Sequence, residues 1–466
     1  MLQPFCSIEP VMLLQRRLFG TSGIRGLVNK QLTPELACKI SLIFAHMLGN
    51  EGQIAVARDI RNQSELIMHS VISGIVAGGM TVLDLGILPT PALLHFVRDY
   101  KLKGGVMVTG SHSLPAITGL LFFKGDGGEI DENDEELMEK NYFLHRFTRM
   151  PFNRLGKVQK EDALSYYIHK MSSLNFRGID SFRVVLDPGN GSMSSVARGI
   201  VESYGVRIHA INDTYDPMFK ARSPYPRRDN LQSLAREVKN TGSDLGVASD
   251  GDGDRAIFST ATGTILWGDI TGSLFADKEL EKRNGSIVAP INSSRLIEYI
   301  CAKRNARLIS TKVGPPAIVS ALREHKDAVF AFEETGKNIW PGFLLYGDYV
   351  YSTLMMLSIL REGSLEQLTR LYPRFYLEKR MVRCTEEKKM QVMQRIKGMI
   401  EQEFEPSEVI TLDGIKAYMN DGSWLLIRPS GTEPFIRCYS EAKSRILSVR
   451  LARKGLEILK KAIASA

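Results

Sequence analysis

From about Leu18 to about Tyr372, short apolar runs alternate with stretches whose apolar residues recur every three or four positions. The runs read as strands buried on both faces and the recurring stretches as helices packed on them, an alternation that sheets with crossover helices require. The first helix shows the logic. Thr33 can cap a free amide, Pro34 suits the first turn, and Leu36, Ile40, Ile43, Phe44 and Met47 make one apolar face. Strands are expected at Ile54 to Ala57, Thr81 to Leu85 and Gly105 to Thr109. A second block begins near Gly156, with a strand at Arg183 to Asp187, a turn at Pro188-Gly189-Asn190-Gly191, a helix ending before Gly205 and a strand at Leu245 to Ala248. The third has strands at Ser286 to Pro290, Leu308 to Thr311 and Val329 to Phe332, then a helix from Asp348 to Leu360.

Beyond Tyr372 the texture changes to a long amphipathic helix, Glu387 to Glu403, and short strands through Ala417 to Tyr439 with Asn420-Asp421-Gly422 as a hairpin turn. A helix from Ser444 to Ile463 follows. The expected fold is therefore α/β: three consecutive α/β domains with mixed, largely parallel sheets over residues 18–155, 156–258 and 259–372, then a C-terminal α+β domain over 373–466. Residues 1–17 read as an N-terminal extension. Low-complexity linkers are absent, so the domains are expected to pack around a central cleft, where ligand sites form.

Composition narrows the class. The 466 residues are 44% hydrophobic and 24% charged, enough for several cores. No apolar run reaches the roughly 18 residues of a membrane span. Met1 to Arg17 contains Pro4, Glu9 and Pro10, with neither a basic start nor a small-residue cleavage site, so it is not read as a signal peptide. Two readings stay open there, a disordered extension and a start at Met12. The expected location is cytoplasmic. Cys6, Cys38, Cys301, Cys384 and Cys438 are scattered, odd in number and free of any C-x-x-C pair, which favours thiols over disulfides or zinc. The net charge of +8 is spread among acidic residues throughout, so it reads as a solvated surface suited to anionic small molecules and not as a nucleic-acid footprint.

Four clusters carry candidate chemistry. Asp250-Gly251-Asp252-Gly253-Asp254-Arg255 follows a strand, and three carboxylates on so short a loop repel one another unless a divalent cation, most naturally Mg²⁺, neutralises them. A solvated acidic turn is the plain alternative, whereas an EF-hand beginning at Asp250 would need glycine at Arg255 and glutamate at Ala261, so that reading fails. Thr109-Gly110-Ser111-His112-Ser113-Leu114-Pro115 also follows a strand and offers a serine able to act as nucleophile, although a polar turn would look the same. Arg428-Pro429-Ser430-Gly431-Thr432-Glu433-Pro434, with Arg437 beyond it, has the parts of a phosphate cradle or of an ordinary hairpin connection. Glu333-Glu334-Thr335-Gly336-Lys337 ends a strand with groups suited to sugar hydroxyls, or is a charged turn.

Taken in order, with Leu18-Phe19-Gly20-Thr21-Ser22-Gly23-Ile24-Arg25-Gly26, Arg58-Asp59-Ile60-Arg61 and Gly268-Asp269, these clusters resemble the α-D-phosphohexomutase family over nearly everything from Leu18 to Ile463. Within it the likeness is to archaeal-type phosphomannomutase/phosphoglucomutase and phosphoglucosamine mutase sequences. The resemblance implies that Ser111 carries a phosphoryl group and shares one Mg²⁺ with Asp250, Asp252 and Asp254. It implies that Arg255 steadies that phosphoryl group and that Arg25 and His112 assist. Glu333 and Thr335 would hold sugar hydroxyls, while Arg428, Ser430, Gly431, Thr432 and Arg437 would grip the remote phosphate. The implied activity is a mutase interconverting hexose 1-phosphate and hexose 6-phosphate through a hexose 1,6-bisphosphate, which would also serve as activator, with mannose and glucose phosphates favoured. The partners would be hexose phosphates, without nucleic acid or membrane, and the enzyme a monomer or homo-oligomer. Rival readings are a phosphoglucosamine mutase, a magnesium phosphatase and a non-catalytic sugar-phosphate-binding paralogue. The last is motivated by a departure: Leu121 stands where the family carries a lysine, which leaves His112, Arg25 or Lys124 to cover its role. Gly110, Ser113, Leu114, Phe332, Thr335 and Lys337 also depart from the usual loops.

Overall fold

In the computed structural model, which describes residues 18–431 and 433–465, the strands pair into four sheets. The extension expected over residues 1–17 lies outside the described residues. The first sheet runs, in spatial order, Ile24–Leu27, Ile117–Lys124, Gly104–Val108, Gln53–Arg58, Thr81–Ile87 and Val158–Lys160. Its last four strands are parallel and its first two pair antiparallel. The second runs Ile265–Leu266, Ala256–Thr260, Leu245–Ser249, Arg183–Asp187 and Arg207–Ala210, and the third Arg307–Thr311, Ser286–Pro290, Ala328–Phe332 and Asn338–Ile339. Both mix parallel and antiparallel pairs. The fourth sheet is wholly antiparallel. Helices Glu386–Phe404 and Arg445–Ala464 bury Val392, Ile396, Ile400, Leu451 and Leu459 with Ile427 and Ile436 of that sheet. Three mixed α/β domains and a C-terminal α+β domain are the fold that the apolar patterning predicts.

Two strands reach past the first two joins that the patterning places. Val158–Lys160 pairs with the first sheet and Ile265–Leu266 with the second, beyond positions 155 and 258. One is a three-residue exposed edge strand and the other has only two residues, so neither shows a readable period. The strand Tyr376–Arg383 escapes the same reading because it is polar and largely exposed, and only its pairing with Phe435–Ala442 defines it.

The cores differ in reach. One apolar cluster is continuous through the three α/β domains, joining Leu93, Leu186, Phe258 and Phe330. The C-terminal domain has its own core. It meets the third domain through a small apolar patch around Ile291 and Trp424 and through polar ties. Arg295 N donates to Glu441 Oε1 at 2.8 Å, Lys416 Nζ to the Ile291 carbonyl at 2.9 Å and Tyr418 Oη to Glu298 Oε1 at 2.6 Å. Among the described residues no helix is long and apolar enough to cross a membrane.

Candidate active site

The serine loop leaves the carboxyl end of the strand Gly104–Val108, and a buried carboxylate organises it. Asp59 Oδ2 accepts from Thr109 Oγ1 at 2.8 Å and Gly110 N at 3.0 Å, while Oδ1 accepts from Arg61 N at 3.0 Å and Ser64 Oγ at 2.7 Å. Arg61 pairs with Asp59 and donates onward to the carbonyls of Ser111 at 3.0 Å and Ser113 at 2.7 Å. Both Asp59 and Arg61 are wholly buried, so the pair is costly to break, on the order of 3–5 kcal/mol. A Cβ on Gly110 would sit 2.7 Å from Arg61 Cζ, which is why this loop has glycine there. Ser111 takes a left-handed φ of 47°, a conformation that costs energy in a non-glycine residue and persists where surroundings impose it.

The bracing aims Ser111 Oγ. It lies 3.2 Å from Asp250 Oδ2 and 3.2 Å from His112 Nδ1, and Ser111 is 2% exposed. Burial pushes the His112 imidazole well below its ordinary pKa, and Arg255, Arg25, Lys337 and Arg61 push the same way.

Asp250, Asp252 and Asp254 are all buried, and one carboxylate oxygen from each lies within 4.8 Å of the others. The loop is held from several sides. Thr90 donates Oγ1 to Asp252 Oδ2 at 2.6 Å and its amide to the Asp252 carbonyl at 2.9 Å. Ser192 N donates to the Gly251 carbonyl at 2.9 Å and Tyr349 N to that of Gly253 at 3.1 Å. Burial drives the Asp250 carboxyl well above the ordinary range, with Asp254 and Asp252 adding to it, and raises Asp252 in the same manner. Against burial, the Lys337 ammonium and Arg255 hold Asp254 below that range. Asp252 Oδ1 and Asp254 Oδ1 have no hydrogen-bond partner among the described residues. Crowded, buried and partly unpartnered, this oxygen donor set fits a hard divalent cation such as Mg²⁺. Arg255 Nε stands 3.7 Å from Asp250 Oδ2 and 3.6 Å from Asp254 Oδ1, too far to hydrogen-bond, and its Nε and Nη1 have no hydrogen-bond partner among the described residues. Arg25, on the strand Ile24–Leu27, likewise leaves Nε unpartnered.

The sugar-loop candidates follow the strand Ala328–Phe332. Glu333 is buried, and burial raises its carboxyl. Thr335 Oγ1 is buried without a hydrogen-bond partner among the described residues. Glu334 turns away to accept from Trp267 Nε1 at 3.3 Å and Asn292 Nδ2 at 3.0 Å and to pair with Lys379 of the C-terminal domain. Lys337, 1% exposed, sits 2.8 Å from Asp254 Oδ2 and 3.7 Å from the Tyr346 ring centroid. Lys124 is not at the site. Its ammonium pairs with Asp131 at 2.9 Å and Asp134 at 2.6 Å, since the strand that carries Leu121 inward ends with Lys124 at its rim. Lys337 is thus a buried ammonium beside the aspartates that a reading of single loops misses. Only its strand-end position hinted at it.

The fourth cluster caps a hairpin of Trp424–Pro429 and Phe435–Ala442. Arg428 and Arg437 are register partners, a like-charge pair that is unfavourable without counter-charges. Arg428 pairs with Asp413 at 3.0 Å and Arg437 with Glu433 at 2.7 Å. Lys389 donates to the carbonyls of Ser430 at 2.6 Å and Glu433 at 2.9 Å, propping the turn from the helix below. Ser430 is 2% exposed, and Thr432 lies outside the described residues. A Cβ on Gly431 would lie 3.2 Å from Thr21 Oγ1, so the turn comes up against the first domain and closes a ring of four domains. Asp59, Arg61, Thr90 and Lys389 all hold loops without carrying chemistry of their own, and of these only Asp59 and Arg61 stood in a recognisable motif.

Comparison with known proteins agrees along the whole chain. Residues 16–149, 165–263 and 267–375 match phosphoglucomutase/phosphomannomutase α/β/α domains I, II and III, and residues 381–453 match the C-terminal domain of the same proteins. A phosphoglucomutase/phosphomannomutase of Thermococcus kodakarensis is 33% identical over 96% of this chain and 99% of its own length. A phosphoglucosamine/phosphogalactosamine mutase of Sulfurisphaera tokodaii is 35% identical over 95% of this chain and 99% of its own. The crystal structure of a Burkholderia thailandensis protein described as phosphoglucomutase/phosphomannomutase family superposes with a TM-score of 0.84, at 24% identity, over 96% of this chain and 97% of that one.

Proposed function

The chain belongs to the phosphoglucomutase/phosphomannomutase family and is a phosphohexomutase, an isomerase of the intramolecular phosphotransferase type; from that premise we propose that it moves a phosphoryl group between C1 and C6 hydroxyls through Ser111. The observation that carries this reading is the buried Ser111 Oγ, 3.2 Å from one carboxylate of a three-aspartate cluster and 3.2 Å from the imidazole Nδ1 of His112.

In this mechanism the P–O bond of phosphoserine breaks, a P–O bond to the free sugar hydroxyl forms, and the hydroxyl proton ends on Ser111 Oγ. His112 Nδ1 is within reach to relay it. Asp250, Asp252 and Asp254 would hold Mg²⁺, which supplies Lewis-acid stabilisation of phosphoryl charge when bound. Arg255 and Arg25, both with unpartnered guanidinium nitrogens, add positive charge from the protein. Glu333 and Thr335 take sugar hydroxyls, and Arg428, Ser430, Gly431, Thr432 and Arg437 grip the phosphate that is not reacting. The hexose 1,6-bisphosphate then turns end for end and returns its other phosphoryl group to Ser111, so one grip serves both phosphates. A separately cored C-terminal domain joined by mostly polar ties suits such alternation.

Mannose and glucose phosphates are the favoured substrates, with glucosamine phosphate the second reading because of the Sulfurisphaera relative. Cys38, Cys301, Cys384 and Cys438 are free thiols, in keeping with action in the cytoplasm. The test is a mutase assay with Mg²⁺ and a trace of glucose 1,6-bisphosphate on mannose, glucose and glucosamine phosphates in parallel. Conversion is expected, and the order of kcat/KM names the sugar. Turnover of none of them, with sugar phosphate still bound, would overturn the reading.

A further inference from the structure

The connection between the strand Arg207–Ala210 and the helix Gln232–Thr241 has no regular secondary structure, and connections of that length inside a compact domain are usually functional. It lays two aromatic rings over the reacting pole. Phe219 faces the Arg61 guanidinium at 4.8 Å from the ring centroid. Tyr225 faces Arg255 at 5.5 Å and has its ring centroid 5.1 Å from that of His112. Tyr225 therefore touches both groups that flank Ser111, one from each of two domains.

Its mount is stiff. Pro224 and Pro226 on either side are buried. The Tyr225 carbonyl accepts from Asn230 Nδ2 at 2.7 Å, and Asn230 Oδ1 accepts from Arg227 N at 3.0 Å. Upstream, Arg222 donates to Asp187 Oδ2 at 2.7 Å and to the Ser249 carbonyl at 2.7 Å, which ties the segment to the base of the aspartate loop.

We propose that Tyr225 is a positioning residue that orders Arg255 and His112 against phosphorylated Ser111 and keeps bulk water from it. This rests on the phosphoserine reading above. A mutase must pass its phosphoryl group to a sugar hydroxyl and not to water. In the competing reaction a water oxygen bonds to phosphorus, the P–O bond to Ser111 breaks, a proton ends on Oγ and inorganic phosphate leaves. An aromatic ring held on a cation and an imidazole excludes water while keeping the cation aimed.

The test uses the full chain, phosphorylated with glucose 1,6-bisphosphate and freed of it. Loss of phosphoserine is followed by intact mass without sugar phosphate, and kcat and KM are measured beside it. Tyr225→Ala and Tyr225→Leu are expected to hydrolyse phosphoserine about tenfold faster and to turn over about tenfold more slowly, with KM within about twofold. Tyr225→Phe, which keeps the ring, should restore both to within about threefold. Unchanged hydrolysis and kcat in the Ala and Leu variants would overturn the inference, as would a rise in KM alone, which would make Tyr225 a sugar contact. A Phe variant as impaired as Ala would overturn it too, by moving the role to the hydroxyl. Failure of the parent protein to take phosphate on Ser111 would remove the underlying reading, an outcome visible before any variant is compared.

Discussion

The two poles of the cleft are built to different standards. Around Ser111, Asp59 and Arg61 are completely buried and every turn of the loop is tied, and the aspartates opposite are braced by Thr90, Ser192 and Tyr349. That pole belongs to the domains sharing one continuous core. The turn at Arg428 to Pro434 rests on a smaller core of its own, props two carbonyls on Lys389, and leaves the Arg437 side chain 33% exposed. On the proposed mechanism the difference follows from what each must do. A reacting atom displaced by about 1 Å can cost on the order of 10²-fold in rate, whereas a grip that takes two different phosphates in turn has to tolerate change.

The sharpest way to test that contrast is Ser111→Ala. It is expected to lower kcat/KM by at least about 10³-fold in the mutase assay while leaving the thermal melt unchanged. Asp252→Asn should come next, with kcat down roughly 10²- to 10³-fold and Mg²⁺ binding weakened in calorimetry. Chelation of the parent enzyme should give a loss that added Mg²⁺ reverses. Asp59→Asn touches no substrate group, yet it should lower kcat about 10²-fold and stability by about 3 kcal/mol in denaturant unfolding, because Arg61 is left buried and poorly paired. At the other pole, Arg437→Ala should raise KM about fivefold with little change in kcat or stability. If it struck kcat as hard as Asp59→Asn, the contrast would fail.

The smallest effect concerns pH. Glu129 is buried beside the reacting pole, accepts from Ser22 Oγ at 2.9 Å, and leaves Oε2 without a hydrogen-bond partner among the described residues. Burial pushes its carboxyl up to about 7, with Lys337 and Arg25 opposing. A carboxyl raised in the fold favours folding fully below its ordinary value of 4.5, and that contribution is lost as pH rises through about 7. Glu129→Gln should therefore flatten the fall in stability across that window. An unchanged slope in denaturant titrations at several pH values would remove Glu129 as its source.

Much of this was legible in the chain. Apolar runs and helical periods marked the strands Arg183–Asp187 and Ser286–Pro290 and the helix Tyr349–Leu360, because each is buried by its own pattern. Tyr376–Arg383 and Val158–Lys160 were not legible, since a polar edge strand exists only through its neighbour. The four loops stood out because chemistry at strand ends needs particular residue types at short spacing. Their partners in space did not, for Lys337 of the sugar loop meets Asp254 and Thr90 meets Asp252 across long stretches of chain.

By itself, then, the order of amino acids determined the α/β class, the four-domain sequence and which loops are candidates for the reaction, all of which are local properties of pattern and residue type. Tertiary structure alone decided that Lys124 leaves the site and Lys337 enters it, that Asp59 and Arg61 aim Ser111, and that Tyr225 covers the reacting pole. The physical reason is that a side chain's partner depends on which loops the packed sheets bring within a few ångströms, and no local period encodes that.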